Sequence, residues 1–129
     1  MKKNTLLNAK LSYVIATLGH TDEVTICDAG LPIFEESQRI DLAVVQGIPT
    51  FIDTVKATLS EMQIEGAIVA EEFKTVSPQL HEALCGKSIA VSYVPHEAFK
   101  VHTQQSKAVV RTGECTPYAN VIFQSGVVF

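Results

Sequence analysis

Short apolar runs rich in Val, Ile and Ala alternate along this chain with stretches whose apolar residues recur at helical spacing. That alternation points to one α/β layered domain. The strand-like runs are Val24–Cys27, Ile40–Val45, Gly66–Ala70, Ser88–Val94, Ala108–Val110 and Ala119–Phe123. Between them lie helix signals. Asn8 stands at a capping position, Leu11, Val14, Ile15 and Leu18 follow at i, i+3, i+4 and i+7, and Gly19 offers a C-cap. Thr50 caps a second helix to about Met62, with Phe51, Ile52, Val55 and Leu59 on one face. Ser77-Pro78 starts a third, running to Leu84 with Gly86 as its stop. Pro95 starts a short helix carrying His96, Phe99 and His102. The expected architecture is a three-layer sandwich: a mixed, mostly parallel central sheet with helices on both faces. No linker, repeat or low-complexity tract divides residues 1–129, so one domain is expected.

Composition narrows the function classes. A chain of 129 residues can bury a core without disulfides or a structural metal. With no Trp, and only Phe and Tyr as aromatics, that core must rest on Val, Ile, Leu and Ala, which suits a buried sheet. The net charge of −4 is spread out and the Lys and Arg residues are scattered, so nothing resembles a nucleic-acid stripe. Polar Asn8, Lys10 and Ser12 break the stretch after Lys2-Lys3, unlike a signal peptide, and no apolar run is long enough to span a bilayer. A cytoplasmic protein is expected. Cys27, Cys85 and Cys115 follow no metal-ligand spacing and read as reduced thiols in or near the core.

The polar residues that could do chemistry sit at strand ends. Asp28 follows the Val24 run, and His96 stands where the Ser88 run gives way to a helix; open α/β sheets bind ligands in such loops. His20 follows Gly19 in the loop entering the first strand. Each has a plainer reading: a helix-dipole contact for His20, an Asx-turn for Asp28, a first-turn helix position for His96. His81 and His102 lie among polar neighbours and read as surface residues. Adjacent Glu71 and Glu72 could form an acid–base pair, but neighbours on a strand point apart, so they read better as a solvated strand end. There is no H-x-x-x-H pair, Cys-His cluster, phosphate loop or nucleophile elbow, so no metal, nucleotide or covalent chemistry is indicated. Two loop histidines and a loop aspartate suit proton transfer on a neutral, polar substrate.

The segments Leu18-Gly19-His20-Thr21-Asp22, Cys27-Asp28-Ala29-Gly30-Leu31-Pro32-Ile33, Arg39-Ile40-Asp41 and Ala70-Glu71-Glu72 together have a recognisable order. So do Pro78-Gln79-Leu80-His81-Glu82, His96-Glu97, Arg111-Thr112-Gly113-Glu114-Cys115 and Pro117-Tyr118-Ala119-Asn120. From Met1 to Phe129 the chain resembles the ribose/fucose mutarotase family. That resemblance implies a cofactor-free isomerase interconverting the pyranose and furanose forms of free D-ribose, beside ribose uptake and ribokinase. It implies His20 as the catalytic acid, with Asp28, His96, Tyr118 and Asn120 as sugar-binding positions. It also implies a homo-oligomer, commonly a decamer of two stacked pentamers, with sites between subunits. The stretch between Leu84 and Ser88 looks shorter than in some relatives, and a trimmed helix is expected there.

Ring interconversion requires opening the hemiacetal, a task for general acid–base catalysis. Histidine suits it because its reference pKa of ~6.5 leaves both forms populated near neutrality. Tyr118 and Asn120, two apart, would share one face of a strand, with Ala119 toward the core. The absence of a Lys or Arg cluster at these positions fits an unphosphorylated sugar. Other readings remain: a mutarotase for another sugar such as L-fucose, a non-catalytic sugar-binding accessory of transport, or a ring-forming structural protein. The last has only the apolar tail Gly126-Val127-Val128-Phe129 in its favour, which reads better as subunit-packing surface.

Overall fold

Successive side chains of a strand point to opposite faces, and β1, β5 and β6 are buried almost continuously, so the sheet is covered on both faces. The computed structural model describes residues 1–129. Its elements are α1 (Ala9–Thr17), β1 (Glu23–Cys27), β2 (Arg39–Asp41), α2 (Phe51–Leu59), β3 (Ile64–Ala70), α3 (Glu71–Val76) and α4 (Pro78–Cys85). They continue with β4 (Val91–Val94), α5 (His96–His102), β5 (Ala108–Arg111) and β6 (Val121–Ser125). The sheet order is β2-β5-β1-β6-β3-β4. Only β6 runs antiparallel to its neighbours, β1 and β3; the pairs β1–β5, β2–β5 and β3–β4 are parallel. The fold is therefore the expected α/β sandwich.

On one face, Leu11 and Val14 of α1, Phe51 and Val55 of α2, Phe73 of α3 and Leu84 of α4 meet Val24, Ile26, Val69, Val110 and Phe123. On the other, Phe99 of α5 and Leu31 pack on Cys27, Val109 and Ile122. Phe51, Phe73, Phe99 and Phe123 are each fully buried, and such a side chain contributes about 1.5–3 kcal/mol.

Several boundaries differ from expectation for local reasons. Asn8 caps α1, its Oδ1 accepting from the Leu11 amide at 2.9 Å. The helix ends because Leu18 turns extended, not at Gly19; the left-handed residue nearby is Thr21, at φ 68°. Thr50 caps α2 through Asp53 N–H, but the helix stops at Leu59. Ser77 precedes Pro78 as expected, yet its hydroxyl donates to the Pro117 carbonyl at 2.6 Å instead of capping α4. Gly86 follows α4 in a right-handed conformation, at φ −62°. Glu71 and Glu72 do not end a strand; they open α3, where acidic side chains suit the helix dipole.

The reversed β6 decides where the loops go. The connection from β5 need not cross the sheet length, so residues 112–120 arch over the carboxyl end of β1. Thr112 fastens the arch, with both its amide (3.0 Å) and its hydroxyl (2.8 Å) donating to the Cys27 carbonyl.

Candidate active site

Five strands point their carboxyl ends to one edge, and β6 begins there. Asp28, following β1, His96, following β4, and Tyr118 and Asn120, preceding β6, are thereby delivered to the same edge.

The centre is a reciprocal pair. The Asp28 amide donates to Asn120 Oδ1 at 2.8 Å, and Asn120 Nδ2 donates to Asp28 Oδ2 at 3.1 Å. Asp28 Oδ1 accepts from the Gly30 amide at 2.9 Å, the Asx-turn read from the sequence. Asn120 is fully buried, so its two bonds hold the carboxylate in one orientation. Burial pushes the Asp28 carboxyl above the usual aspartate range, against the lowering pull of the Gly30 and Asn120 bonds. Each carboxylate oxygen keeps a lone pair to receive a hydroxyl.

Beside this pair, the Tyr118 ring meets the His96 ring edge-on at 4.9 Å between centroids, and the Phe99 ring lies nearly parallel to the imidazole at 6.4 Å. His96 Nδ1 is buried and has no hydrogen-bond partner. A buried polar nitrogen of this kind calls for a partner that the chain itself does not supply. The His96 amide donates to Glu72 Oε2 at 3.0 Å, so Glu72 ties the start of α5 to that of α3. Glu72 was not legible as a site residue, since nothing marks a carboxylate as the partner of an amide 24 residues away.

Tyr118 and Asn120 do not share a strand face. They occupy the turn before β6, with Tyr118 left-handed at φ 62° and the Asn120 amide donating to the Tyr118 carbonyl at 2.8 Å. The turn, not strand alternation, sends the phenol toward His96 and the amide toward Asp28, and Ala119 is buried in the core as expected.

A cleft of about 400 Å³ lies beside Asp28, walled by Gly30, Glu114, Thr116 and Pro117. Arg111 is the cation on this edge, and it is committed: its guanidinium donates to the Ala29 carbonyl at 3.1 Å and pairs with Asp41 at 3.1 Å.

His20 stands apart. It lies at the amino end of β1, whose five residues at about 3.3 Å each place it roughly 17 Å from Asp28. Its Nε2 is 2.9 Å from Glu65 Oε2, and it faces a groove of about 470 Å³ bordered by Leu18, Met62 and the tail Val127–Phe129. The other histidines differ from each other. His102 is half-buried and pairs with Glu23 at 2.9 Å. His81, expected at the surface, is buried between Phe73 and Tyr93, because the inner stripe of α4 runs through Ser77, His81 and Leu84. Of the cysteines, Cys27 is a core thiol, pushed up to about 12 chiefly by burial, Cys85 is half-buried and Cys115 is exposed.

The RbsD / FucU transport protein family matches residues 1–128. Proteins named D-ribose pyranase are 78% identical in Aliivibrio fischeri (strain MJ11) and 66% identical in Vibrio cholerae, each match covering 100% of both chains. These alignments span 139 positions, so ten positions have no counterpart among this chain's 129 residues. Among solved structures, Bacillus subtilis RbsD complexed with D-ribose superposes with a TM-score of 0.96 at 44% identity over 100% of both chains. The fucose mutarotase from Streptococcus pneumoniae, in complex with L-fucose, shares the fold with a TM-score of 0.77 at 20% identity, over 100% of both chains.

Proposed function

The chain belongs to the RbsD / FucU transport protein family, and from that premise we propose that it is a D-ribose pyranase, interconverting the pyranose and furanose forms of free D-ribose. It is an isomerase: ring opening and reclosure change no oxidation state and transfer no group. The carrying observation is full-length 78% identity to a D-ribose pyranase. The geometry agrees. Asp28 offers hydrogen-bond acceptors, His96 an unpartnered nitrogen and Tyr118 an aromatic edge, while Arg111 is engaged elsewhere, a setting for hydroxyls and not for a phosphate.

In the reaction, the acid gives a proton to the ring oxygen as its bond to the anomeric carbon breaks. The anomeric hydroxyl loses its proton, and an open aldehyde results. A different chain hydroxyl then adds to the aldehyde carbon, with the proton movements reversed. His20 is the acid of this proposal, and Asp28, His96, Tyr118 and Asn120 hold the sugar. A well-placed acid or base is worth about 10²–10⁴ in rate.

His20 lies too far from Asp28 to serve the same sugar within one chain. The site is therefore composed between copies, His20 of one reaching the Asp28 edge of the next. Exposed apolar side chains at Leu7, Tyr13, Val44, Val45, Ile48 and the tail support association. The assembly is a decamer of two pentameric rings, each chain contributing one mutarotase domain over residues 1–129. No helix is long and apolar enough to cross a membrane. The proposed location is the cytoplasm, where ribofuranose would pass to ribokinase.

Magnetisation-exchange NMR on the anomeric protons of D-ribose tests the activity. The wild type is expected to speed pyranose–furanose exchange, and His20→Ala to lose about 10²-fold or more of that acceleration. Folded wild type that leaves exchange at its spontaneous rate would remove the ribose reading.

A further inference from the structure

The amino end of the sheet is built around a carboxylate that the reaction scheme has not used. Glu65 lies on β3 where the pairing with β6 slips. Ile64 pairs with Ser125 and Gly66 with Gln124, which leaves Glu65 as the extra residue of a β-bulge. Bulges re-aim a side chain out of its alternating direction. Here the carboxylate is sent to His20, with Oε2 at 2.9 Å from Nε2.

Three other features hold the two groups together. Ser125 clamps the His20 loop, its carbonyl accepting from the Thr21 amide at 2.9 Å and its amide donating to the Asp22 carbonyl at 2.8 Å. Asp22 Oδ2 in turn accepts from the Gly19 amide at 2.8 Å, and Thr21 takes the left-handed conformation that closes the loop. Gly126 then passes beside the bulge: a β-carbon there would lie 3.4 Å from both Glu65 Cβ and the Glu65 nitrogen. Backbone strain, a bulge and a close glycine thus converge on one side-chain contact.

Resting on the proposed role of His20, we infer that Glu65 is its positioning residue. A carboxylate only accepts, so Nε2 carries its hydrogen toward Glu65. Nδ1 is left as the nitrogen that exchanges a proton with the sugar. When protonated, Nδ1–H gives its proton to the ring oxygen as the bond to the anomeric carbon breaks; when neutral, the Nδ1 lone pair takes a hydroxyl proton. The contact fixes the tautomer and direction of a ring that is otherwise half-exposed at the amino end of the sheet.

The test pairs kinetics with a spectrum, using the full-length protein. Glu65→Ala is expected to lower the turnover of ribose exchange by about 10²-fold, the cost of a misplaced catalytic group, with KM changed less than twofold. In a His20→Ala background the same substitution is expected to change the rate less than twofold, because its effect passes through the imidazole. The ring ¹⁵N spectrum of neutral His20 is expected to show one tautomer, hydrogen on Nε2, in wild type, and averaged nitrogens in Glu65→Ala. Equal losses in both backgrounds would make Glu65 merely structural and overturn the inference. So would an unaltered ring spectrum, or wild-type turnover in folded Glu65→Ala. If wild type itself fails to accelerate ribose exchange, the pyranase reading falls, and the ring spectrum still decides whether Glu65 fixes the imidazole.

Discussion

Asp28 is a carboxylate taken partly out of water, with hydrogen bonds from Gly30, Asn120 and Leu31 that only partly offset its burial. Burial raises its pKa, and in the proposed site its remaining lone pairs receive sugar hydroxyls. The stability consequence has a definite sign. With the folded pKa above the unfolded one, the native state holds its proton longer, so the group's contribution is full below the unfolded value and is lost as pH rises through the folded value. A ¹³C titration of the side-chain carboxyls is expected to put the Asp28 midpoint above 3.8 and that of Glu97, lowered chiefly by its bond to Lys100, below 4.5. An Asp28 midpoint at or below 3.8 would mean that its bonds outweigh burial. At this scale the sequence was partly legible. An Asp before Ala-Gly at a strand end signals a turn, and the Gly30 amide donating to Asp28 Oδ1 is that turn; the strand-end position is also what made Asp28 a candidate site residue. His81 was misread because a polar residue on the inner stripe of a helix looks like a surface one until Phe73 and Tyr93 are seen around it.

The strands ending at the site are held by their successors more than by their own propensities. The start of α5, which carries His96, is tied to α3 through Glu72. Glu72→Ala is expected to cost about 1 kcal/mol in urea unfolding, the scale of a lost helix cap, and to raise KM for ribose more than it lowers turnover. An unchanged KM would show that His96 is placed by Phe99 packing alone. The arch over β1 depends on Gly113, where a β-carbon would fall 2.5 Å from the Ile48 carbonyl oxygen and 2.6 Å from that of Val45. Both obstacles are backbone, so the loop at 45–48 fills the space that side chains leave elsewhere. The strands β1, β3 and β5 were readable because each holds a short run dominated by apolar or β-branched residues, Val24–Cys27, Ala67–Ala70 and Ala108–Val110. The turn at Tyr118–Asn120 was not, since a left-handed Tyr has no signal in residue type, and alternation wrongly carried the strand back to Ala119.

At the scale of the molecule, one sheet places two different sets of polar side chains at its opposite ends. The carboxyl end gathers Asp28, His96, Tyr118 and Asn120, the proposed sugar-binding set, and the amino end carries His20 against the bulged Glu65. Neither end is a complete catalyst in this account. Separation of His20 from Asp28 follows from their spacing across β1 and could have been drawn from the sequence, but only the strand order says which residues share an end. The most direct test mixes two variants, His20→Ala and Asn120→Ala, each impaired at a different end. Each alone is expected to keep about a hundredth or less of the wild-type acceleration. Dissociated, mixed and reassembled, the two should form some junctions in which an intact His20 faces an intact Asp28 edge, and exchange activity should return to a sizeable fraction of wild type. A mixture whose subunits have exchanged but which stays as inactive as its parents would contradict a site shared between copies, and would place the whole reaction within one chain.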